Sequence, residues 1–310
     1  MLNKIHVSWL LLVVLCVSGC SDNIDNVSAC YMPVEAGVHT VNVTQAGQSR
    51  PFSLYVPASY SGTSMPLVVL LHPSISSGEA MLATTAQNGQ AFFTQHADQN
   101  GYIIAAPTGA AKLFNAFAWN IPGVPLVTVD NKTSYPPKAA LNDIDYIALT
   151  IDAVENTLCV DSKRVFATGF SGGARMSSQL ACDLSERITA IAPIGGVRAP
   201  RADDMPPNPV QCSPKRAVPI VALHGTEDKV NEYANDDPGI AAGSSWSYGV
   251  PEALSRWAEL NHCLELEPEM LVVSENVELI KYQGCNKDVW HYKINNEGHK
   301  IPGLSLDAQI

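Results

Sequence analysis

The stretch that decides the fold is RVFATGFSGGA, residues 164–174. Its first five residues are mostly apolar and favour extended structure, which predicts a strand buried on both faces of a sheet. Residues 174–184 have helical composition, so Ser171 falls in a tight strand-to-helix turn, within the only Gly-x-Ser-x-Gly pattern of the chain. Such a turn strains the serine backbone, and the flanking glycines remove the steric clash. The pattern predicts Ser171 as a nucleophile above the carboxyl edge of a sheet; the alternative is a glycine-rich turn with an N-capping serine.

Strands and helices alternate along the chain on either side of this stretch. Apolar runs and alternating patterns predict strands at 40–44, 53–56, 66–71, 102–106, 164–168, 188–194, 219–223, 271–280 and 289–294. Helical composition and spacing predict helices at 79–99, 143–158, 174–184 and 251–260. Buried strands that alternate with helices predict an α/β fold, with a mainly parallel sheet and helices on both faces. No linker divides the chain, so we expect one domain over 37–310, with long excursions at 199–219 and 231–249.

The composition and charge narrow the class of protein. Of the 310 residues, 46% are hydrophobic and 16% are charged, which is typical of a globular chain and excludes general disorder. The formal net charge of −11, with no basic run to offset it, argues against nucleic acid as a partner. No cysteines show the CxxC spacing of a zinc or redox site, so we expect no metal and no cofactor. We expect a monomer.

The start of the chain is typical of a bacterial lipoprotein leader. Lys4 precedes the apolar run 7–17, which is too short to span a bilayer and has the character of a secretory signal. The small residues just before Cys20 resemble a lipobox; the alternative is an ordinary signal peptide with a free cysteine nearby. We predict a signal peptide at 1–19, a lipid on Cys20 and a polar tether at 20–36. The mature protein is then outside the cytoplasm, either anchored to a membrane only through this lipid or secreted.

A serine nucleophile needs a histidine base that a carboxylate orients. In hydrolases with this kind of turn, the order along the chain is serine, acid, histidine. Asp228 follows the next suitable strand, with Glu227 as the adjacent competitor, and Asp228 is alternatively an ordinary turn residue. Beyond it, His262 closes a helix and His291 lies inside a strand, whereas His299 lies in a loop past that strand. We therefore predict Asp228 as the acid and His299 as the base.

An oxyanion hole requires two backbone donors. The N–H group of Gly172, directly after the nucleophile, is the first. The loop after the strand 66–71 supplies the second, and because Pro73 has no N–H group we predict Ser74 as the donor. The aromatic residues predicted to line an apolar substrate cleft are Trp119, Phe170 and Trp246, although aromatics at these spacings are as often core residues.

Together these motifs resemble the esterase/poly(3-hydroxybutyrate) depolymerase family of secreted α/β-hydrolases, which includes feruloyl and acetylxylan esterases. The resemblance runs from about residue 53 to residue 303. It rests on segments 54–57, 71–72, 119–120, 142–144, 164–173, 224–228, 250–252 with Trp257, and 298–299. It implies an α/β-hydrolase fold, with Ser171 as nucleophile, Asp228 as acid and His299 as base, in agreement with the assignment from the residues themselves.

The chain departs from the family pattern in three respects. Pro73 stands where the family usually has glycine, which is expected to reshape the oxyanion loop. Asn296 and Glu297 stand at glycine positions and Ile301 at a tryptophan position, which bears on substrate preference more than on catalysis. The family also continues into a last helix beyond Ile310, so the domain is expected to lack its C-terminal helix or to end unusually.

Six cysteines of the predicted mature chain are available for disulfides besides Cys20. An even number in an exported chain favours disulfides, and fifteen pairings are formally possible. The family resemblance implies one pair, a second pair would bracket the strand, turn and helix around Ser171, and the third follows by elimination. The predicted pairs, in that order, are Cys263–Cys285, Cys159–Cys182 and Cys30–Cys212.

The sequence predicts an exported serine carboxylic-ester hydrolase that forms an acyl-enzyme and acts on a polyester or on esters linked to polysaccharide. A feruloyl or acetylxylan esterase is the alternative within the same chemistry, and acyl transfer by the same residues is compatible with the sequence. A non-catalytic binding lipoprotein of this fold is expected to lack at least one triad residue. All three are present, which disfavours that class.

Overall fold

A computed structural model describes residues 34–86, 88–121, 127–129, 132–134, 141–204, 210–234 and 248–302. The predicted signal peptide, the lipid on Cys20, most of the tether, Cys30, Trp246 and the last eight residues lie outside the described residues. Within this part of the chain, no helix is long and apolar enough to cross a membrane.

The strands and helices that the sequence predicts are present in the predicted order, together with four short strands between residues 111 and 134 that it does not predict. The strands are β1 Gly37–Gln45, β2 Gln48–Val56, β3 Met65–Leu71, β4 Ile103–Pro107, β5 Ala111–Leu113, β6 Ala116–Ala118, β7 Val127–Val129, β8 Lys132–Ser134, β9 Val160–Phe170, β10 Ala190–Ile194, β11 Ile220–Gly225, β12 Glu265–Ser274, β13 Val277–Gln283 and β14 Val289–Ile294. The helices are α1 Gly78–Leu82, α2 Phe92–Asn100, α3 Asp143–Thr157, α4 Gly172–Asp183 and α5 Val250–Leu260.

A ten-stranded sheet organises the domain, in the order β1-β2-β4-β3-β9-β10-β11-β14-β13-β12. The six central strands, from β4 to β14, are parallel to one another. Antiparallel pairs extend the sheet at both edges, where β1, β2, β13 and β12 lie. The prediction of a mainly parallel sheet holds for the part that carries the site.

Helices cover both faces of the sheet, as predicted. Alternate side chains of β3 enter different apolar clusters because successive residues of a strand point to opposite faces. Leu67 and Val69 belong to the cluster that contains Ile147 of α3, Leu180 of α4 and Trp257 of α5. The residue directly after Val69 is also fully buried, but it belongs to the smaller cluster formed with α1 and α2.

Two predicted elements are each divided into two in the structure. The helix expected over 79–99 is two helices, because the segment between α1 and α2 turns back on itself through the bond from the Phe92 N–H to the Thr84 carbonyl. The strand expected over 271–280 is a hairpin, in which Ser274 pairs with Val277. β12 is exposed along almost its whole length, so it lacks the buried pattern on which the prediction relied.

The predicted disulfides are correct in one pair and wrong in two. Cys263–Cys285 is present, with a Cα–Cα distance of 3.7 Å. Cys182 pairs with Cys212 and not with Cys159, so both Cys159–Cys182 and Cys30–Cys212 are wrong.

The long loop after β10 explains the actual pairing. The Arg198 N–H donates to the Ser178 hydroxyl over 3.0 Å, and the Lys215 N–H donates to the Ser185 hydroxyl over 2.9 Å. The loop therefore contacts α4 at Ser178 and the segment just past its end at Ser185, and Cys212 lies between these two contacts along the chain. Spacing along the chain gives no indication of this path.

Candidate active site

Ser171 occupies a strained turn between β9 and α4. Its backbone has φ 53° and ψ −112°, a conformation that costs free energy for any residue with a side chain. A Cβ atom on Gly169 would lie 2.4 Å from the Leu71 carbonyl oxygen, and one on Gly173 would lie 2.1 Å from the same atom. Both flanking positions therefore require glycine, because β3 passes directly against the turn. The Ser171 N–H donates to the Ile194 carbonyl over 2.9 Å, which ties the turn to β10.

Asp228 lies in the turn that follows β11, with both carboxylate oxygens engaged. Oδ1 accepts the backbone N–H groups of Val230 and Asn231, each over 2.8 Å. Oδ2 accepts from Nδ1 of His299 over 2.6 Å. Burial raises the pKa of Asp228, but the hydrogen bonds to His224 and His299 outweigh it and hold that pKa well below its usual range. The group is therefore a charged carboxylate.

His299 follows β14 and presents one ring nitrogen for chemistry. Because Nδ1 donates to Asp228, the neutral ring carries its proton on Nδ1 and leaves Nε2 as an acceptor. Nε2 is buried and has no hydrogen-bond partner among the described residues. The Phe170 ring packs against the imidazole, with 4.7 Å between centroids. The imidazole therefore has the tautomer and fixed position required of a base.

The segment after β10 contacts both Ser171 and His299. A Cβ atom on Gly195 would lie 3.6 Å from Cε1 of His299, and one on Gly196 would lie 2.8 Å from the Ser171 carbonyl oxygen. The Asn231 side-chain amide donates to the Gly195 carbonyl and fixes this segment to the Asp228 turn. The structure thus brings the predicted nucleophile, acid and base together around two adjacent glycines.

His291 has a different environment, as its position inside β14 predicts. It is fully buried, with Nε2 3.1 Å from the Tyr233 hydroxyl and Nδ1 3.3 Å from the Ala222 carbonyl oxygen. Burial, with the charge of His224 as a smaller cause, lowers the pKa of His291 to about 3. Both nitrogens have partners within the protein, so this side chain is a neutral core residue.

The two predicted oxyanion donors lie against each other. A Cβ atom on Gly172 would lie 2.9 Å from the Ser74 nitrogen and 2.6 Å from its hydroxyl oxygen. The next residue, Ile75, has φ 62°, which is a strained value for a β-branched residue. The loop after β3 therefore reaches the N-terminus of α4 in a constrained conformation.

Buried groups beneath this loop hold it in place. His72 accepts the Gly109 N–H at Nε2 over 3.0 Å, and its Nδ1 lies 2.6 Å from the Pro73 carbonyl oxygen. Burial lowers the pKa of His72 to about 4, so it is neutral and donates from Nδ1. The Trp119 ring stacks on this imidazole at 4.5 Å between centroids, and its N–H group donates to the His72 carbonyl over 2.8 Å.

The prediction that Trp119 and Phe170 line a substrate cleft is wrong. Trp119 is 3% exposed and supports the oxyanion loop, whereas Phe170 is fully buried and packs against His299. Phe170 is the last residue of β9 and Trp119 directly follows β6; both side chains point into the protein, and sequence spacing cannot distinguish this direction from one into a cleft. Trp246, the third predicted residue, lies outside the described residues.

Two residues that the sequence did not single out contact the site. His224, at the end of β11, places Nε2 3.2 Å from Oδ2 of Asp228 and 2.8 Å from the Asn231 carbonyl oxygen. The sequence feature that could have identified His224 is its position four residues before Asp228. Arg175, one turn into α4, reaches the Ser74 hydroxyl with Nη2 over 3.3 Å, and nothing in the sequence indicated it. Within the described ranges, no cluster of three or more His, Cys, Asp or Glu side chains could hold a metal ion.

The geometry agrees with the family to which the sequence matches. Residues 66–237, more than half of the chain, match the model of the phospholipase/carboxylesterase family. The chain belongs to this family. The match includes Ser171 and Asp228, and His299 follows it along the chain.

Curated relatives of this carboxylesterase-family chain include a feruloyl esterase and an acetylxylan esterase. Feruloyl esterase B of Piromyces equi is 28% identical over 247 residues, which cover 78% of this chain and 41% of that protein. The bifunctional acetylxylan esterase/xylanase XynS20E of Neocallimastix patriciarum is 23% identical over 82% of this chain and 31% of its own length. The chain thus spans less than half of either relative. The predicted resemblance to feruloyl and acetylxylan esterases is confirmed.

Solved structures show the same fold. The acetyl xylan esterase from Aspergillus awamori superposes with a TM-score of 0.57 at 15% identity, over 85% of this chain and 95% of that one. The CE1 ferulic acid esterase from Anaeromyces mucronatus, solved with ferulic acid, gives 0.50 at 16% identity, over 88% and 89%. The α/β-hydrolase fold predicted from the sequence is therefore confirmed.

Proposed function

We propose that this protein is an exported serine esterase that hydrolyses acyl esters through an acyl-enzyme on Ser171. The observation that carries the proposal is the strained backbone of Ser171, which shares its neighbours Gly195 and Gly196 with a histidine whose Nδ1 is bound to a buried carboxylate. Backbone strain of this kind persists where the surrounding structure enforces it, and it is concentrated at functional sites.

The acylation step follows from the hydrogen bonds of His299. Nε2 takes the Ser171 hydroxyl proton as Oγ bonds to the ester carbonyl carbon, and the carbonyl π electrons move onto its oxygen. The N–H groups of Gly172 and Ser74 donate to that oxyanion. When the tetrahedral intermediate collapses, the C–O bond to the alcohol breaks and His299 returns its proton to the leaving oxygen.

Deacylation repeats these steps with water as the nucleophile. His299 takes a proton from water, the hydroxide bonds to the acyl carbon, and Ser171 leaves with the proton that His299 returns. In both steps the imidazole becomes a cation beside Asp228. The low pKa of that carboxylate keeps it negative, which stabilises the imidazolium.

We propose feruloyl or acetyl esters on plant polysaccharide as the substrates. The names of the curated relatives support this class, since they are feruloyl and acetylxylan esterases. Phe170 and Trp119 are buried and do not contribute a surface for the acyl group. A polyester would react by the same acyl-enzyme chemistry and therefore belongs in the substrate panel.

The experiment compares initial rates on p-nitrophenyl acetate, methyl ferulate, acetylated xylan and a polyester film. We expect hydrolysis of the first three. Ser171→Ala should lower kcat by about four to six orders of magnitude, whereas Ser49→Ala, at an exposed serine, should retain wild-type rates. Retained activity in Ser171→Ala would overturn the mechanism, and activity on the polyester film alone would overturn the substrate class.

We also propose that residues 37–310 form the catalytic domain, exported and anchored through a lipid on Cys20. The two disulfides support an oxidising compartment. Expression with radiolabelled palmitate in a bacterial host should label the wild-type protein and not Cys20→Ser. Equal labelling of both proteins would contradict the anchor.

A further inference from the structure

Arg175 is a buried cation in an unfavourable position. It lies in the first turn of α4, is 8% exposed, and donates from Nη2 to the Ser74 hydroxyl over 3.3 Å. The N-terminus of a helix carries partial positive charge and favours anions. Burying a guanidinium there has a cost in desolvation and in repulsion from the helix dipole.

The charge of Arg198 increases this cost, and the charge of Asp228 connects Arg175 to the site. Burial is the main cause that lowers the pKa of Arg175 to about 10, and the charge of Arg198 lowers it further. The carboxylate of Asp228 acts in the opposite direction. Arg175 is thus still protonated at neutral pH, close enough to the triad acid to interact with it. A feature that opposes stability in this way is expected at functional sites.

The position of Ser74 shows where this charge acts. Its amide and hydroxyl both lie against Gly172, at 2.9 and 2.6 Å from the place of a Cβ atom on that glycine. The residue that supplies the second proposed oxyanion donor is therefore the residue that Arg175 holds. Ile75, which follows it, is strained at φ 62°, so the loop needs an anchor to keep its conformation.

We propose that Arg175 is a positioning residue of the oxyanion hole: it anchors Ser74 through a hydrogen bond from its charged guanidinium to the Ser74 hydroxyl. This inference rests on the proposed acyl-enzyme mechanism. Arg175 neither gives nor takes a proton. It keeps the Ser74 N–H directed at the carbonyl oxygen as the Ser171 Oγ–carbon bond forms and the C=O π electrons move onto that oxygen.

The test compares Arg175→Met, Arg175→Lys and Ser74→Ala, each checked by thermal unfolding. Arg175→Met should lower kcat about 100-fold, in the range seen on removing an oxyanion-hole donor, and leave KM within about threefold. Arg175→Lys, which keeps the charge, should recover at least about tenfold of this loss. Affinity for a boronic acid or trifluoromethyl ketone, which mimic the tetrahedral intermediate, should fall in parallel with kcat/KM.

Ser74→Ala removes the anchoring hydroxyl but keeps the backbone N–H group. In that background Arg175→Met should cost less than about fivefold in kcat, because the two residues act through one contact. Arg216→Met is the matched control: this half-buried guanidinium bonds to the Ile188 and Ala217 carbonyls, away from the site, and its loss should leave analogue affinity unchanged.

Three results would overturn the inference. A folded Arg175→Met enzyme with wild-type kcat and analogue affinity would do so, as would equal losses from Arg175→Met with and without Ser74→Ala. If Arg175→Met does not fold, wild-type analogue affinity in both Arg175→Lys and Ser74→Ala would overturn it, and a parallel loss in Ser74→Ala would support it. Activity in Ser171→Ala would instead remove the proposed mechanism itself, which keeps the two failures distinct.

Discussion

Nδ1 of His299 lies 2.6 Å from Oδ2 of Asp228, although 71 residues separate them along the chain. The parallel sheet brings them together, because β11 and β14 are neighbours and the loops that follow both strands emerge at one edge. The same edge receives Ser171 after β9. The acid and base are therefore held by the register of the sheet and not by a local motif.

Replacing Asp228 with asparagine tests this relationship. The amide nitrogen of Asp228→Asn would face Nδ1 of His299 and favour the ring tautomer with its proton on Nε2, which cannot accept the serine proton. We expect kcat on p-nitrophenyl acetate to fall by about 10³–10⁴ with little change in KM. Glu227→Gln, at the adjacent carboxylate, is the matched control and should stay within about threefold of wild type. The reverse ranking of the two variants would show that the acid is assigned to the wrong residue.

The choice of His299 over His291 has an equally direct test. His299→Ala should be nearly as damaging to kcat as Ser171→Ala, and the double variant should lose little more, since the two residues act as one unit. His291→Ala removes a buried ring bonded to Tyr233, so it should lower the free energy of unfolding and leave kcat within about tenfold. Steady-state rates and urea unfolding measure both effects. If a stable His291→Ala protein lost most of its kcat while His299→Ala stayed active, His291 and not His299 would be the base.

Trp119→Phe separates a supporting role from a substrate-lining one. Phenylalanine keeps a ring to stack on His72 but loses the N–H bond to the His72 carbonyl. We expect the free energy of unfolding to fall by about 1 kcal/mol. The fractional loss of kcat should be the same on acetyl esters as on feruloyl esters. Trp290→Phe, in β14, is the control for indole loss. A change in KM confined to one ester would mean that Trp119 contacts the substrate after all.

The pairing of Cys182 with Cys212 is expected to stabilise the loop that carries Gly195 and Gly196. Cys182→Ser with Cys212→Ser should lower the free energy of unfolding by about 2–4 kcal/mol and reduce kcat. The matched variant, which removes Cys263 and Cys285, loses a disulfide beside the exposed hairpin and should keep kcat. Peptide mapping without reduction should recover Cys182 linked to Cys212; finding it linked to Cys159 would contradict the structure.

Much of the site could be predicted because its residues depend on local constraints. Ser171 needs glycines on both sides where β3 passes the turn, and that requirement is visible in five residues of sequence. Asp228 and His299 follow strands whose apolar character is visible, and parallel strands place their following loops at one edge. The sequence therefore predicted the sheet, the three residues and their meeting place.

The features that could not be predicted depend on contacts between residues that are far apart in the sequence. Cys212 reaches α4 through a long loop after β10 whose contact with that helix, at Ser178, has no sequence signature. Trp119 and Phe170 stand at strand ends, but the direction of each side chain depends on its packing partner, which is His72 for Trp119 and His299 for Phe170. Arg175 contradicts the usual charge preference of a helix N-terminus, so sequence rules argue against its role. In each case a long-range contact outweighs the local pattern.

Two buried histidines should make the fold sensitive to acid. Burial lowers the pKa of His291 to about 3 and that of His72 to about 4, against about 6.5 in the unfolded chain. Between pH 6.5 and these folded values the unfolded state binds more protons, so stability falls as the pH is lowered, by up to about 1.4 kcal/mol per pH unit for each group. Asp228, whose pKa is lowered, adds a loss only below the ordinary aspartate pKa of about 4.

Urea unfolding at pH 7.5, 6.5, 5.5 and 4.5 should show this fall in stability with pH, and His291→Gln should reduce its slope by about half. His96→Gln, at an exposed histidine, controls for loss of an imidazole; an equal reduction there, or none in His291→Gln, would mean that the buried rings are not its source.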